Sequence, residues 1–338
     1  MTQSIVRRWS NPETILVVTN LLEGPSVMLH ATYQARLSGA KILLVHVVRP
    51  STLRSDPGAG MPCMLPSPAL RVVQATLDNM VRAFEREGIL CEPVILRGIP
   101  TEQIPLLVKC RGVERVLVAA RNARGVERLL MGSVAEELAA VLDIPVCIIG
   151  QGAHPGPRLE IPPGRILVAT SFRPSSSLCV SFACAFAEEH HARLTLLHVL
   201  ESAGLCGGSQ YVEAQVATGA ARQKLVDGIP RRARERCEID LEVRVGDAAT
   251  EILEVASSIH HDFIILGSPP DSIVSRILGS SVIHRVVSEA NCPVITVKLA
   301  DLTVRTNATH EPFYAQPDSL HAESSALTSV GSAARTGN

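Results

Sequence analysis

Val116–Leu138 reads VLVAARNARGVERLLMGSVAEEL. An apolar run, Val116–Ala120, enters a basic loop containing Asn and Gly, and the loop ends in Gly132-Ser133 just before an amphipathic run. That succession predicts a strand, a phosphate-sized loop and a helix N-terminus. A helix start presents backbone N–H groups without intrahelical partners and the positive end of the peptide dipole, so it is a natural anion site. About 147 residues later a degraded copy recurs in Phe263–Val287, FIILGSPPDSIVSRILGSSVIHRVV.

The rest of the chain falls into place around these two segments. Before the first lie strands at Thr14–Thr19, Lys41–Val48 and Cys91–Leu96, and helices at Ser26–Leu37, Ala69–Glu87 and Thr101–Cys110, the last with Thr101 as its cap. Arg49–Pro68 holds five prolines and two glycines and reads as an irregular excursion. After the loop come a helix at Ser133–Leu142 and a strand at Pro145–Ile149. A Pro- and Gly-rich linker, 151–163, precedes a repeat of the same order. The repeat has strands at Arg165–Thr170, Arg193–Leu200, Glu238–Val245, His261–Leu266 and Pro293–Val297, with helices at Ser175–Glu188, Glu213–Ala233 and from about Ser280. RLTLLHVL matches KILLVHVV down to the His, PVITV mirrors PVCII, and matching landmarks stay roughly 150 residues apart. The chain is a tandem duplication, with an extension at 1–12, domains at 13–150 and 164–298, and a polar tail at 299–338 whose composition predicts disorder.

Strands alternating with helices at this rhythm predict, in each half, a five-stranded parallel sheet with helices on both faces, a Rossmann-like α/β fold. Ligands of such sheets bind beyond the carboxyl ends of the strands at the switch point, so the loops after the first and fourth strands are the candidate site.

Composition narrows the function. The formal net charge of −1 argues against bulk attraction to nucleic acid or an anionic membrane, and no apolar run approaches a membrane span. The N-terminus has a basic patch and no apolar segment of signal-peptide length, which reads as untargeted and cytoplasmic. Nine cysteines, an odd number without a C-x-x-C pair, read as small buried hydrophobes of a reducing compartment, with metal ligation as the alternative. His190-His191 and His260-His261 sit where helices end, and interaction with the helix C-terminus accounts for them. His46 and His198 read as strand or interface residues, and Glu136-Glu137 as a solvated face. No acid–base pair, nucleophile–His arrangement or metal-ligand cluster recurs in both copies, so catalysis has little support.

On the strand-four-to-helix-four segments and the entries Ile144-Pro145-Val146 and Cys292-Pro293-Val294, the chain resembles the universal stress protein family twice over, across about 13–150 and 164–298. The resemblance implies two tandem domains of adenine nucleotide alpha hydrolase-like fold in a stress-linked regulatory or binding protein. ATP-binding members carry G-x2-G-x9-G-[S/T]. Here the first copy reads Ala119, Asn122, nine residues, then Gly132-Ser133; the second has Gly267, but Pro270 in place of the next glycine and one residue fewer before Gly279-Ser280-Ser281. Proline supplies no N–H and spoils such a cradle. The acidic residue that ATP-binding relatives carry after strand one is Asn20 in one copy and Ser171 in the other.

If ATP binds, the resemblance places it in the first half. Its phosphates would lie along Asn122–Ser133, with Arg124 among the basic residues Arg121, Arg124 and Arg128, and its base side near Thr19, Asn20 and Val47; Mg²⁺ would enter only with ATP. A solvated basic loop with Ser133 as a simple helix cap is the alternative. Gly267, Gly279, Ser280 and Ser281 would form a weaker second site or a structural element. An interaction scaffold that binds no nucleotide, and a nucleotide hydrolase on the related fold, are the rival functions. Strand five is an apolar edge that needs covering. The two halves are expected to cover each other's in an internal pseudo-dimer, or a second copy to do so in a homodimer; regulatory proteins are the expected outside partners.

Overall fold

A computed structural model of the chain describes residues 6, 8–21, 25–49, 68–120, 134–150, 152–153, 163–173, 176–201, 210–268 and 282–298. The first half contains β1 (Thr14–Val18), α1 (Pro25–Ser38), β2 (Lys41–Val48), α2 (Pro68–Arg86), β3 (Cys91–Arg97), α3 (Pro100–Arg111), β4 (Arg115–Ala119), α4 (Val134–Val141) and β5 (Val146–Ile149). The second contains β6 (Arg165–Ala169), α5 (Ser176–His190), β7 (Arg193–Leu200), α6 (Gln210–Gly228), α7 (Arg231–Arg236), β8 (Ile239–Val245), α8 (Ala248–Ser258), β9 (Phe263–Ser268), α9 (Val282–Glu289) and β10 (Val294–Lys298). The excursion at 50–67, most of the linker and the tail at 299–338 lie outside the described residues.

All ten strands form one sheet in the order β3-β2-β1-β4-β5-β10-β9-β6-β7-β8. Within each half every pairing is parallel. The halves meet through β5 and β10, which pair antiparallel with Cys147 opposite Ile295. The apolar edge strands therefore cover one another within the chain, as an internal pseudo-dimer.

The inner strands are buried on both faces, which explains their near-continuous apolar runs, while the edge strands β3 and β8 stay partly exposed. Ile15 and Val17 pack into one layer while Leu16 and Val18 pack into the other, as the two-residue side-chain period requires. Each layer runs through both halves: one joins Ile42, Leu117 and Cys147 to Ile166, Ile265 and Ile295, the other Leu43 and Val146 to Leu167 and Val294. Removing one fully buried aliphatic side chain from such a layer costs about 2–5 kcal/mol.

The N-terminal segment is part of this core. Trp9 is 1% exposed. Its Nε1–H donates to the Pro145 carbonyl at 3.1 Å, and its ring meets Phe182 and Phe186 of α5 edge-on at 5.9 and 5.2 Å. One side chain thus links the chain start, the entry to β5 and the second half.

Three expected local features differ. Glu213–Ala233 was expected as one helix; it is α6 and α7, because Pro230 lacks the N–H that would continue the first and clashes with its preceding turn. Thr101 is not the cap of α3. That helix begins at Pro100 behind Ile99, which makes no side-chain capping bond, since proline at the first helical position supplies the geometry instead. Its counterpart α8 is capped by Asp247, whose Oδ1 accepts from the Thr250 backbone N–H at 3.0 Å. The solvated face expected at Glu136 is also corrected. Glu136 Oε1 pairs across the seam with His284 Nδ1 at 2.6 Å, because the antiparallel joint brings α4 and α9 together.

Candidate functional site

In the order 3-2-1-4-5 the chain reverses direction across the sheet between β1 and β4, and in the second half between β6 and β9. The carboxyl ends of these strands form the crevice where such folds hold ligands. Thr19 and Asn20 follow β1, Val47 lies at the end of β2 on one side, and Ala119 ends β4 on the other. These four expected residues are brought to one edge. Gly267 lies near the end of β9, in register with Val297. Asn122, Arg124, Gly132, Ser133, Gly279, Ser280 and Ser281, with Arg121, Arg128 and the Pro269-Pro270 pair, lie outside the described residues.

At the end of β1 the backbone turns sharply. The Thr19 N–H donates to the Val45 carbonyl at 2.9 Å, and the Leu21 N–H turns back to Thr19 Oγ1 at 2.9 Å. Leu21 adopts φ +69°, a left-handed conformation costing a non-glycine residue about 1–2 kcal/mol. The second half repeats the turn: the Thr170 N–H donates to the Leu197 carbonyl, the Phe172 N–H to Thr170 Oγ1 at 3.3 Å, and Phe172 has φ +59°. Strain kept at matching places in two copies marks a position that surrounding structure enforces.

Each turn is backed by a histidine. His46 Nδ1 lies 2.8 Å from the Thr19 carbonyl oxygen, and His198 Nδ1 lies 2.7 Å from that of Thr170. A carbonyl only accepts, so Nδ1 carries a proton in both. Burial holds the His198 imidazole below its usual range; the Thr170 bond opposes this and the Lys224 ammonium adds to it. The sequence showed this signal in KILLVHVV and RLTLLHVL, but the carbonyl each ring grips lies 27 or 28 positions away.

The two copies differ in what covers the histidine. The Phe172 ring lies on His198 with centroids 3.9 Å apart, and the Lys224 ammonium stands 5.7 Å from the same ring. Leu21 takes the corresponding place in the first half, with no aromatic face.

A sequence model of the universal stress protein family matches residues 12–150 and again 163–298. The chain belongs to the universal stress protein family. Over 150 residues, 43% of this chain, it is 27% identical to a universal stress protein of Methanocaldococcus jannaschii and spans 87% of that protein. A solved universal stress protein from Archaeoglobus fulgidus superposes with a TM-score of 0.62 at 19% identity, over 85% of this chain and 97% of that one. A Pseudomonas aeruginosa protein does so with a TM-score of 0.52 at 16% identity, over 88% and 94%. At these identities the solved structures speak for the fold of this tandem universal stress protein.

The carboxyl edge of its first half can be tested against an adenine nucleotide from its own groups. Asn20 supplies no carboxylate for the ribose, but the His46 imidazole is anchored beside the same turn. Asn20 and the His46 imidazole suit a nucleoside's hydroxyls or amine. Among the described residues no helix is long and apolar enough to cross a membrane.

Proposed function

We propose that this universal stress protein is a cytoplasmic, stress-linked binding module without catalytic activity, and that its first half takes an adenine nucleotide at the carboxyl ends of β1 and β4. The observation that carries this reading is the strained turn at Thr19-Asn20-Leu21, braced by His46 at the switch point of the sheet. Thr19, Asn20 and Val47 would face the nucleoside, with Ala119 at the floor. Asn122, Arg124, Gly132 and Ser133 would hold the phosphates, where backbone N–H groups and arginine supply the charge complement. When ATP is bound, Mg²⁺ would accompany its phosphates.

The second half is the weaker site. Phe172 stacks on its histidine, and the loop bearing Gly279, Ser280 and Ser281 is shorter and holds two prolines. We assign it a structural role, with regulatory proteins as the module's outside partners.

The test is mass spectrometry of small molecules that copurify with the protein after gentle isolation, followed by calorimetry with ATP. An adenine nucleotide released on denaturation, and binding lost in Gly132→Asp, support the reading. No bound nucleotide and no heat at millimolar ATP would leave an interaction scaffold. Mg²⁺-dependent ATP turnover abolished by Gly132→Asp would make the protein a hydrolase.

A further inference from the structure

The opposite edge of the sheet holds a cavity of about 130 Å³ at the seam, walled by Trp9, Ser10, Gln34, Arg115, Phe186 and His190. Arg115 opens β4, so this space lies at the amino ends of the strands, a strand's length from the nucleotide edge. Its volume is about ten times the ~10–15 Å³ that one water needs.

Arg115 is 5% exposed. Its guanidinium donates through Nε and Nη2 to the Trp9 carbonyl and through Nη1 to Gln34 Oε1 at 2.9 Å, and lies 4.3 Å from the Trp9 ring centroid. All of these are neutral partners, and among the described residues it makes no ion pair. The adjacent carboxylate, Glu114, attracts the guanidinium without pairing with it, and its Oε2 accepts from the Glu13 N–H at 2.7 Å. The last turns of α1 and α5 bring carbonyl dipoles toward the same space, which offsets the positive charge only in part, about half a charge per helix end. A buried charge without an opposite charge is expensive. A guanidinium has five N–H donors, and the bonds above use three.

Two further polar atoms on the cavity wall, Ser10 Oγ and His190 Nε2, are buried and have no hydrogen-bond partner among the described residues. Native structures rarely leave such atoms unsatisfied. Burial and the Arg115 charge push the His190 imidazole down to about 4, so at neutral pH it adds a hydrogen-bonding group but no charge. The cavity therefore combines a buried cation with no ion-pair partner among the described residues, two polar atoms with no described partner, and aromatic walls.

We infer that this cavity is a binding site for a small oxyanion, held by the Arg115 guanidinium with Ser10 and His190 completing its hydrogen bonds. A carboxylate of a few carbons fits best, because the guanidinium fork matches its two oxygens and the Trp9 and Phe186 rings suit an apolar tail. Inorganic phosphate shares the anionic chemistry.

Trp9 is the chain's only tryptophan, so its emission reports on the cavity directly. The full-length protein is titrated with sodium acetate and separately with sodium phosphate at pH 7.5, with ionic strength held by sodium fluoride. A saturable change in Trp9 emission, accompanied by a rise in Tm, is expected. A response to acetate alone identifies a carboxylate site, and one to phosphate alone a phosphate site. Arg115→Met should abolish saturation. Ser10→Ala, which removes one hydroxyl and carries the test should Arg115→Met not fold, should weaken binding about fivefold, the worth of one hydrogen bond. No saturable response to either anion up to 100-fold excess over the millimolar range, or a Kd unchanged in both variants, would overturn the assignment.

Discussion

Replacing Trp9 by alanine tests whether the N-terminal segment is structural. The ring is 1% exposed and packs edge-on against Phe182 and Phe186, and its Nε1–H bonds the Pro145 carbonyl. A buried Trp→Ala change costs about 3–5 kcal/mol in lost transfer energy and cavity. The two aromatic pairs contribute about 0.5–1.5 kcal/mol each beyond area, and the Arg115 guanidinium loses the ring beneath it. These contributions share atoms and do not add in full, so the expected loss is about 4–5 kcal/mol, a large share of a typical domain's 5–15 kcal/mol. Trp9→Phe keeps a ring and loses the Nε1 hydrogen bond, for about 1–2 kcal/mol. The assay is guanidinium unfolding followed by far-ultraviolet circular dichroism, because the fluorescence probe leaves with the side chain. Leu90→Ala is the control, at a residue 79% exposed. A Trp9→Ala loss no larger than that of Leu90→Ala would refute the argument that the chain start locks the seam.

Two other outcomes follow from burial. Cys147, Cys179 and Cys292 are buried thiols pushed up to about 12 by desolvation, whereas Cys110 is exposed; at pH 8 an alkylating reagent should label Cys110 rapidly and those three only on unfolding. Rapid labelling of Cys147 in the folded protein would mean that the β5–β10 seam opens. His190 is held down to about 4, and burial lowers His198 and His261 as well, so between about 6.5 and 4 the unfolded chain binds more protons than the folded one. Stability should therefore fall on acidification through that window, with His190 contributing up to about 1.4 kcal/mol per pH unit. Urea unfolding from pH 7.5 to 4.5 should show a shallower fall in His190→Gln, and an identical slope would remove His190 as a cause.

Much of the candidate site was legible because its carriers are local. The apolar run Val116–Ala120, the turn residues Thr19 and Asn20 and the end of the second strand at Val47 each announce a strand terminus, and a parallel α/β order brings those termini to one edge. The grip of His46 on the Thr19 carbonyl and the left-handed Leu21 were not legible. They depend on how β1 and β2 align, and a leucine gives no local sign of positive φ. The break between α6 and α7 was written in Pro230, and only the length of the surrounding polar run obscured it.

The sequence by itself determined the two-fold repeat, the strand and helix order and the burial of both sheet faces, because side-chain periodicity and turn residues act over a few positions. It also marked β5 and β10 as edges in need of a cover. Tertiary structure alone decided which cover they received and what gathered around it. Trp9 meets Pro145 across 136 positions, and Glu136 meets His284 across 148. Arg115 carries its charge into a seam built from both halves. Such contacts leave no pattern along the chain, since each depends on how the two halves join through β5 and β10 into one sheet.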